Sequence, residues 1–276
     1  MLKNLLPWRF VLLTYAISWS LWALIAAAGL DINTNLTVGL LYAVGGFGPA
    51  IAGLALTPED HRTFWERVLN PGRIRPVWWL PVLLIFPVTL LLSYGIVGIV
   101  LPGAADLSGA GEFFGRSPAL VVSTILFIAL IGPISEEPGW RGYALDWLQE
   151  RHSPLVASLI LAVLWWLWHM PLIAVNGAFL DGAVSAVFLA GYFGTVLLYT
   201  VLFTWIYNNT QRSVLAAIAI HFSINLTSGI LVPNFEVLMV ETFVLIAVGA
   251  VIIVATQMWR RSDHTADQVS GGLVEV

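Results

Sequence analysis

Ser135-Glu136-Glu137-Pro138-Gly139-Trp140-Arg141-Gly142 stands at the end of an apolar run, Pro118 to Ile134, that reads as a bilayer-crossing helix. A carboxylate at the centre of such a helix costs about 2.5–3.5 kcal/mol on insertion scales, so two adjacent ones require partners at membrane depth. Two histidines later in the chain, His169 and His221, are the candidates.

The chain around this stretch has 276 residues, 59% of them hydrophobic and only 10% charged. Soluble domains carry about 25% charged residues, so the composition predicts a polytopic, all-α membrane protein. Eight apolar runs are long enough to span: Phe10–Gly29, Val38–Leu56, Val77–Leu101, Pro118–Ile134, Pro154–Val175, Val184–Tyr207, Val214–Leu231 and Val237–Trp259. Nothing is left over for a soluble domain, and residues 1–276 read as a single transmembrane domain. The first run follows Lys3 and Arg9 and ends in Ala26-Ala27-Ala28-Gly29, as a signal peptide does. Its ~20 apolar residues exceed the 7–15 of a signal core, which favours a retained helix. The absence of cysteine excludes a disulfide framework, a thiolate metal site and a cysteine nucleophile.

Eleven of the twelve basic residues fall on one side of the predicted bundle: Lys3, Arg9, Arg62, Arg67, Arg73, Arg75, Arg141, Arg151, Arg212, Arg260 and Arg261, against Arg116 alone on the other. By the positive-inside rule both termini are cytoplasmic, and a miscounted span would scramble the alternation; the expected location is the plasma membrane of a prokaryote. Gly48, Ala52 and Gly53 in the second span predict a close helix contact.

Three spans carry the unusual polar side chains. The fourth ends in Glu136 and Glu137, with Arg141 one turn beyond Glu137; the fifth carries Trp165-Trp166-Leu167-Trp168-His169; the seventh carries His221-Phe222-Ser223-Ile224-Asn225. A spacing of four puts His221 and Asn225 on one helix face. Inside a bundle such groups turn toward one another or toward trapped water. A carboxylate that takes a proton from water, an imidazole that shares it and donors for an oxyanion together suffice for peptide hydrolysis. Three other readings stay open. Glu136, His169 and His221 could form a zinc site. The same groups could relay protons in a transporter. In a purely structural reading, Ser135 is an N-cap that places Glu136 and Glu137 in the first turn of an interfacial helix, and Arg141 pairs with Glu137. Glu241, about five residues into the last span, is expected to be solvated near the outer interface.

Glu136-Glu137-Pro138-Gly139-Trp140-Arg141 resembles the Glu-Glu-x-x-x-Arg motif of the CAAX prenyl protease and bacteriocin-processing family, also called CPBP or Abi. Trp165-x-x-x-His169 is similar to its Phe-x-x-x-His motif, and His221-x-x-x-Asn225 to its third. The resemblance implies an intramembrane endopeptidase of the glutamic type whose catalytic core covers residues 118–231. It gives water activation to Glu136 and His169, the oxyanion hole to His221 and Asn225, and supporting roles to Glu137 and Arg141. No cofactor is implied, zinc being the older proposal for the family. The expected partners are membrane lipids and a membrane-anchored protein or peptide substrate, not nucleic acid. Trp165 in place of phenylalanine is expected to reshape the cavity and leave the chemistry alone. Counting about 1.5 Å per residue from the predicted helix ends puts His221 roughly 12 Å and His169 roughly 22 Å deep, with Glu136 near the membrane edge.

Overall fold

The computed structural model describes residues 7–30, 36–57, 60–175 and 186–261, without the side chains of 173–175 and 186–188. Among these residues every regular element is a helix. Eight segments are long and apolar enough to cross a membrane: Trp8–Ala27, Leu36–Leu56, Pro76–Val100, Pro118–Gln149, Pro154–Leu172, Leu189–Asn209, Val214–Leu231 and Phe235–Ala255. The protein is an integral membrane protein with the span count that the basic residues require. The start predicted for the sixth span, Val184, lies outside the described residues.

The helices used below are α1 (Trp8–Ala27), α2 (Leu36–Gly46), α3 (Gly48–Leu56), α4 (His61–Leu69), α5 (Trp79–Val100), α6 (Ser108–Phe114), α7 (Pro118–Ala129), α8 (Ser135–Gly139), α9 (Asp146–Gln149), α10 (Pro154–Trp168), α11 (Met170–Val175), α12 (Ala186–Asn209), α13 (Val214–Leu231) and α14 (Phe235–Ala255). Their boundaries follow local chemistry. Ser117, Ser153, Ser213 and Asn234 each accept a backbone N–H at the start of α7, α10, α13 and α14. The second span breaks into α2 and α3 where Pro49 removes a helix donor.

In the bundle α10 lies along α12, α5 along α13 and α14, and α1 along α2 and α3. The predicted glycine contact is present. A Cβ on Gly53 would lie 2.8 Å from Gly139 Cα, and one on Gly139 would strike the Pro49 carbonyl, so the backbones of α3 and α8 touch.

The basic connections gather at one end. Arg67 of α4 bonds Asp146 at 2.5 Å, the Tyr207 hydroxyl and the carbonyls of Gly142 and Arg212. Arg73 reaches the Gln211 carbonyl and Arg261 that of Glu150. The second, fourth and sixth connections and the end of α14 therefore meet, as an even alternation of spans demands.

Two expectations fail. The fourth span does not end at Ile134; helix resumes after a break and runs to Gln149. Glu241 is not solvated: only 2% of it is exposed, and among the described residues its Oε1 finds no hydrogen-bond partner.

Candidate active site

The break in the fourth span is written in Leu130-Ile131-Gly132-Pro133-Ile134. Pro133 offers no N–H and disfavours helix at the residue before it. Gly132 turns to φ +118°, ψ −92°, a region almost closed to residues with a Cβ. Ser135 Oγ holds the break, accepting the Gly132 N–H at 3.0 Å and facing the Gly132 carbonyl at 3.3 Å. It is thus no N-cap of α8, contrary to the capping reading. Beyond α8 the chain winds in wide π turns over Trp140–Leu145.

This continuation removes the mismatch in depth between Glu136 and His169. Glu136 stands 13 residues before Gln149 and His169 15 residues after Pro154, the two ends being joined by a short connection. At 1.5 Å per residue that is about 20 and 22 Å from the same end of the bundle. Glu136 and Glu137 do lie in the first turn of α8, yet they are buried within the protein and not interfacial.

Five of the six residues singled out from sequence fall into two linked sets. In the first, Glu137 Oε1 accepts from Arg141 Nη1 at 2.9 Å and from His221 Nδ1 at 2.7 Å, joining α8 to α13. Arg141, fully buried, lies with its guanidinium carbon 4.5 Å from the Trp165 ring centre and 4.7 Å from that of Phe203. In the second set, Glu136 Oε2 accepts the Trp165 indole N–H at 2.6 Å. His169 Nδ1 bonds the Trp165 carbonyl at 2.7 Å. A carbonyl can only accept, so Nδ1 carries the proton and Nε2 of a neutral ring keeps its lone pair. The Trp165 ring stands 5.5 Å from both His169 and His221, centre to centre.

The open side of Gly132 is where these sets converge. A Cβ placed there would lie 3.0 Å from Asn225 Nδ2, 3.7 Å from His221 Nε2 and 3.8 Å from Glu136 Oε1. A carboxylate oxygen, an imidazole nitrogen and an amide donor thus face one small space bounded by backbone without a side chain. His169 meets this group through Trp165, and its ring edge packs on Tyr192 at 5.8 Å.

Sequence reasoning missed two members of the site. Trp165 is more than an aromatic exchange, because its N–H holds Glu136 by a bond that phenylalanine lacks. Gly132 was legible only as a Gly-Pro pair inside an apolar run, which marks a break. The zinc reading fares differently. Among the described residues no three His, Cys, Asp or Glu side chains are grouped to hold a metal ion.

Residues 118–227, from the first residue of α7 to two beyond Asn225, match the family model described as Type II CAAX prenyl endopeptidase Rce1-like. The chain is also 29% identical over 254 residues to CAAX prenyl protease 2 of Methanococcus maripaludis, an alignment covering 90% of this chain and 93% of the relative. The matched region contains every residue of the convergent site. The eight-span chain is therefore similar to the Rce1-like CAAX prenyl endopeptidases over the segment that holds the site, and this similarity supports reading it as a membrane-embedded protease.

Proposed function

We propose that the protein hydrolyses a peptide bond near the C-terminus or membrane anchor of a membrane-associated protein or peptide, with water activated by Glu136 and His169. The arginine-rich end faces the cytoplasm of a prokaryotic cell, and the substrate reaches the site from within or beside the bilayer. Glu136 Oε1 takes a proton from the water as its oxygen bonds to the substrate carbonyl carbon. The resulting oxyanion accepts hydrogen bonds from Asn225 Nδ2 and from His221 Nε2 when that nitrogen is protonated. The C–N bond then breaks and the proton passes to the leaving amine. Glu137 and Arg141 fix the His221 ring, and His169 Nε2 shares the proton work. No step is routed through a metal.

The observation that supports this reading best is the convergence of Glu136, His221 and Asn225 on Gly132. The relative's name suggests a prenylated CAAX peptide as the first probe. Purified protein in proteoliposomes is expected to trim the C-terminus of such a peptide or of an endogenous membrane protein found by proteome comparison. Glu136→Gln, His169→Ala and His221→Ala are each expected to abolish trimming while the protein still inserts and folds. Wild-type turnover in any one of them removes that residue from the mechanism.

A further inference from the structure

At the arginine-rich end, away from the catalytic residues, a cavity of about 390 Å³ opens between the last turn of α12, the start of α10 and the segment after α14. Its walls include Trp205, Asn208, Gln257, Met258, Arg260 and Arg261. The segment after α14 is built to hold these arginines in place. Gln257 takes a left-handed conformation, φ +51°, which lets the Gln257 and Met258 N–H groups cap Val254 and Ile253. Met258 is then buried, and its carbonyl accepts the Leu155 N–H at 2.9 Å, pinning the segment across the start of α10. Asn208 is fixed in the wall by a two-way amide pair with Gln149.

Among the described residues the cavity carries two positive charges and no negative one. Arg261 spends one N–H on the neutral Glu150 carbonyl, while the Glu150 carboxylate turns to Arg151 at 2.6 Å. Neither Arg260 nor Arg261 has a carboxylate partner among the described residues. The neighbouring surface is apolar: Val251 and Val254 at the same end of α14 and Trp259 just beyond it are 66%, 64% and 49% exposed. A basic cavity between spans, floored by tryptophan and methionine and flanked by bare aliphatic surface, suits a molecule with a phosphate head and an apolar tail. We propose that it binds the phosphate of an anionic phospholipid headgroup.

Native mass spectrometry of the full chain in detergent, titrated with short-chain phosphatidylglycerol, tests this directly. The wild type is expected to carry a specific adduct that short-chain phosphatidylcholine does not form. Arg260→Gln/Arg261→Gln is expected to weaken it about 30-fold, the loss of two basic contacts at a membrane surface. The control is Arg62→Gln/Arg75→Gln, which removes two exposed arginines elsewhere on the same end and is expected to leave the adduct intact. Equal binding by wild type and the Arg260/Arg261 variant overturns the proposal, as does an equal loss in the control. Displacement of the lipid by inorganic phosphate at comparable concentration overturns the lipid assignment in favour of a soluble anion. The readout is lipid occupancy, so it is independent of whether the catalytic residues are assigned correctly.

Discussion

Replacing Gly132 with alanine adds one methyl group at the point where Glu136, His221 and Asn225 face each other. Two costs follow from the geometry. The first is conformational: at φ +118°, ψ −92° an L-residue is strained by about 1–3 kcal/mol. For a chain of this size that lowers the unfolding midpoint by about 2–4 °C per kcal/mol, hence about 2–12 °C. The second is local, because the new carbon would sit 3.0 Å from Asn225 Nδ2 and force that amide aside. Loss of one oxyanion donor costs about 10²–10³ in rate, so kcat/KM is expected to fall by that factor. Thermal unfolding in detergent and peptide cleavage in proteoliposomes read the two effects separately. Gly111→Ala is the control: it lies in α6 with open space around the added methyl, and is expected to leave both unchanged or raise stability slightly. A Gly132→Ala protein that melts and cleaves like wild type would refute both the backbone assignment and the placement of the site.

Other substitutions probe the supports. Trp165→Phe removes the donor to buried Glu136, a hydrogen bond to a charged acceptor worth about 1.5–3 kcal/mol. In a double-mutant thermal-unfolding cycle with Glu136→Ala, which removes the acceptor that glutamine would keep, the two are expected to couple by about 1–2 kcal/mol, and simple additivity would show that the bond carries no energy. Glu137→Ala strands the Arg141 charge in the core and is expected to destabilise by about 3–5 kcal/mol, much of it recovered in Glu137→Ala/Arg141→Met. If the single variant melts like wild type, the buried pair is not holding the site. Cleavage is expected to persist in EDTA and phenanthroline, whereas loss restored by added zinc would reinstate a metal mechanism.

Much of the architecture could be read from residue order because bilayer spans are set by length and polarity, and the arginine alternation independently fixes their number. The six polar residues of the candidate site stood out in the sequence as well, since each is costly in lipid and so announces itself. What stayed hidden is what hydrophobicity cannot encode. On α5 the outward Leu83, Leu84, Val88, Leu91 and Leu92 are as apolar as the buried Phe86 and Leu90, so no stripe tells lipid from core. The end of the fourth span was misplaced because Ser135-Glu136-Glu137 stops an apolar run whether the helix leaves the membrane or enters a protein interior. Glu241 poses the converse case: one carboxylate near a helix start looks solvated until the packing of its neighbours is known. The Trp165 bond to Glu136 depends on the relative rotation of two helices, which no local pattern specifies.

The contact between Gly53 and Gly139 has a bearing on how this enzyme could be redesigned. With main chain resting on main chain, the acid-bearing segment has no side chain behind it to trim or enlarge, and its rear wall offers no adjustable volume. Changes in substrate preference are therefore better sought at Tyr192 and Phe203, whose rings pack on His169 and His221.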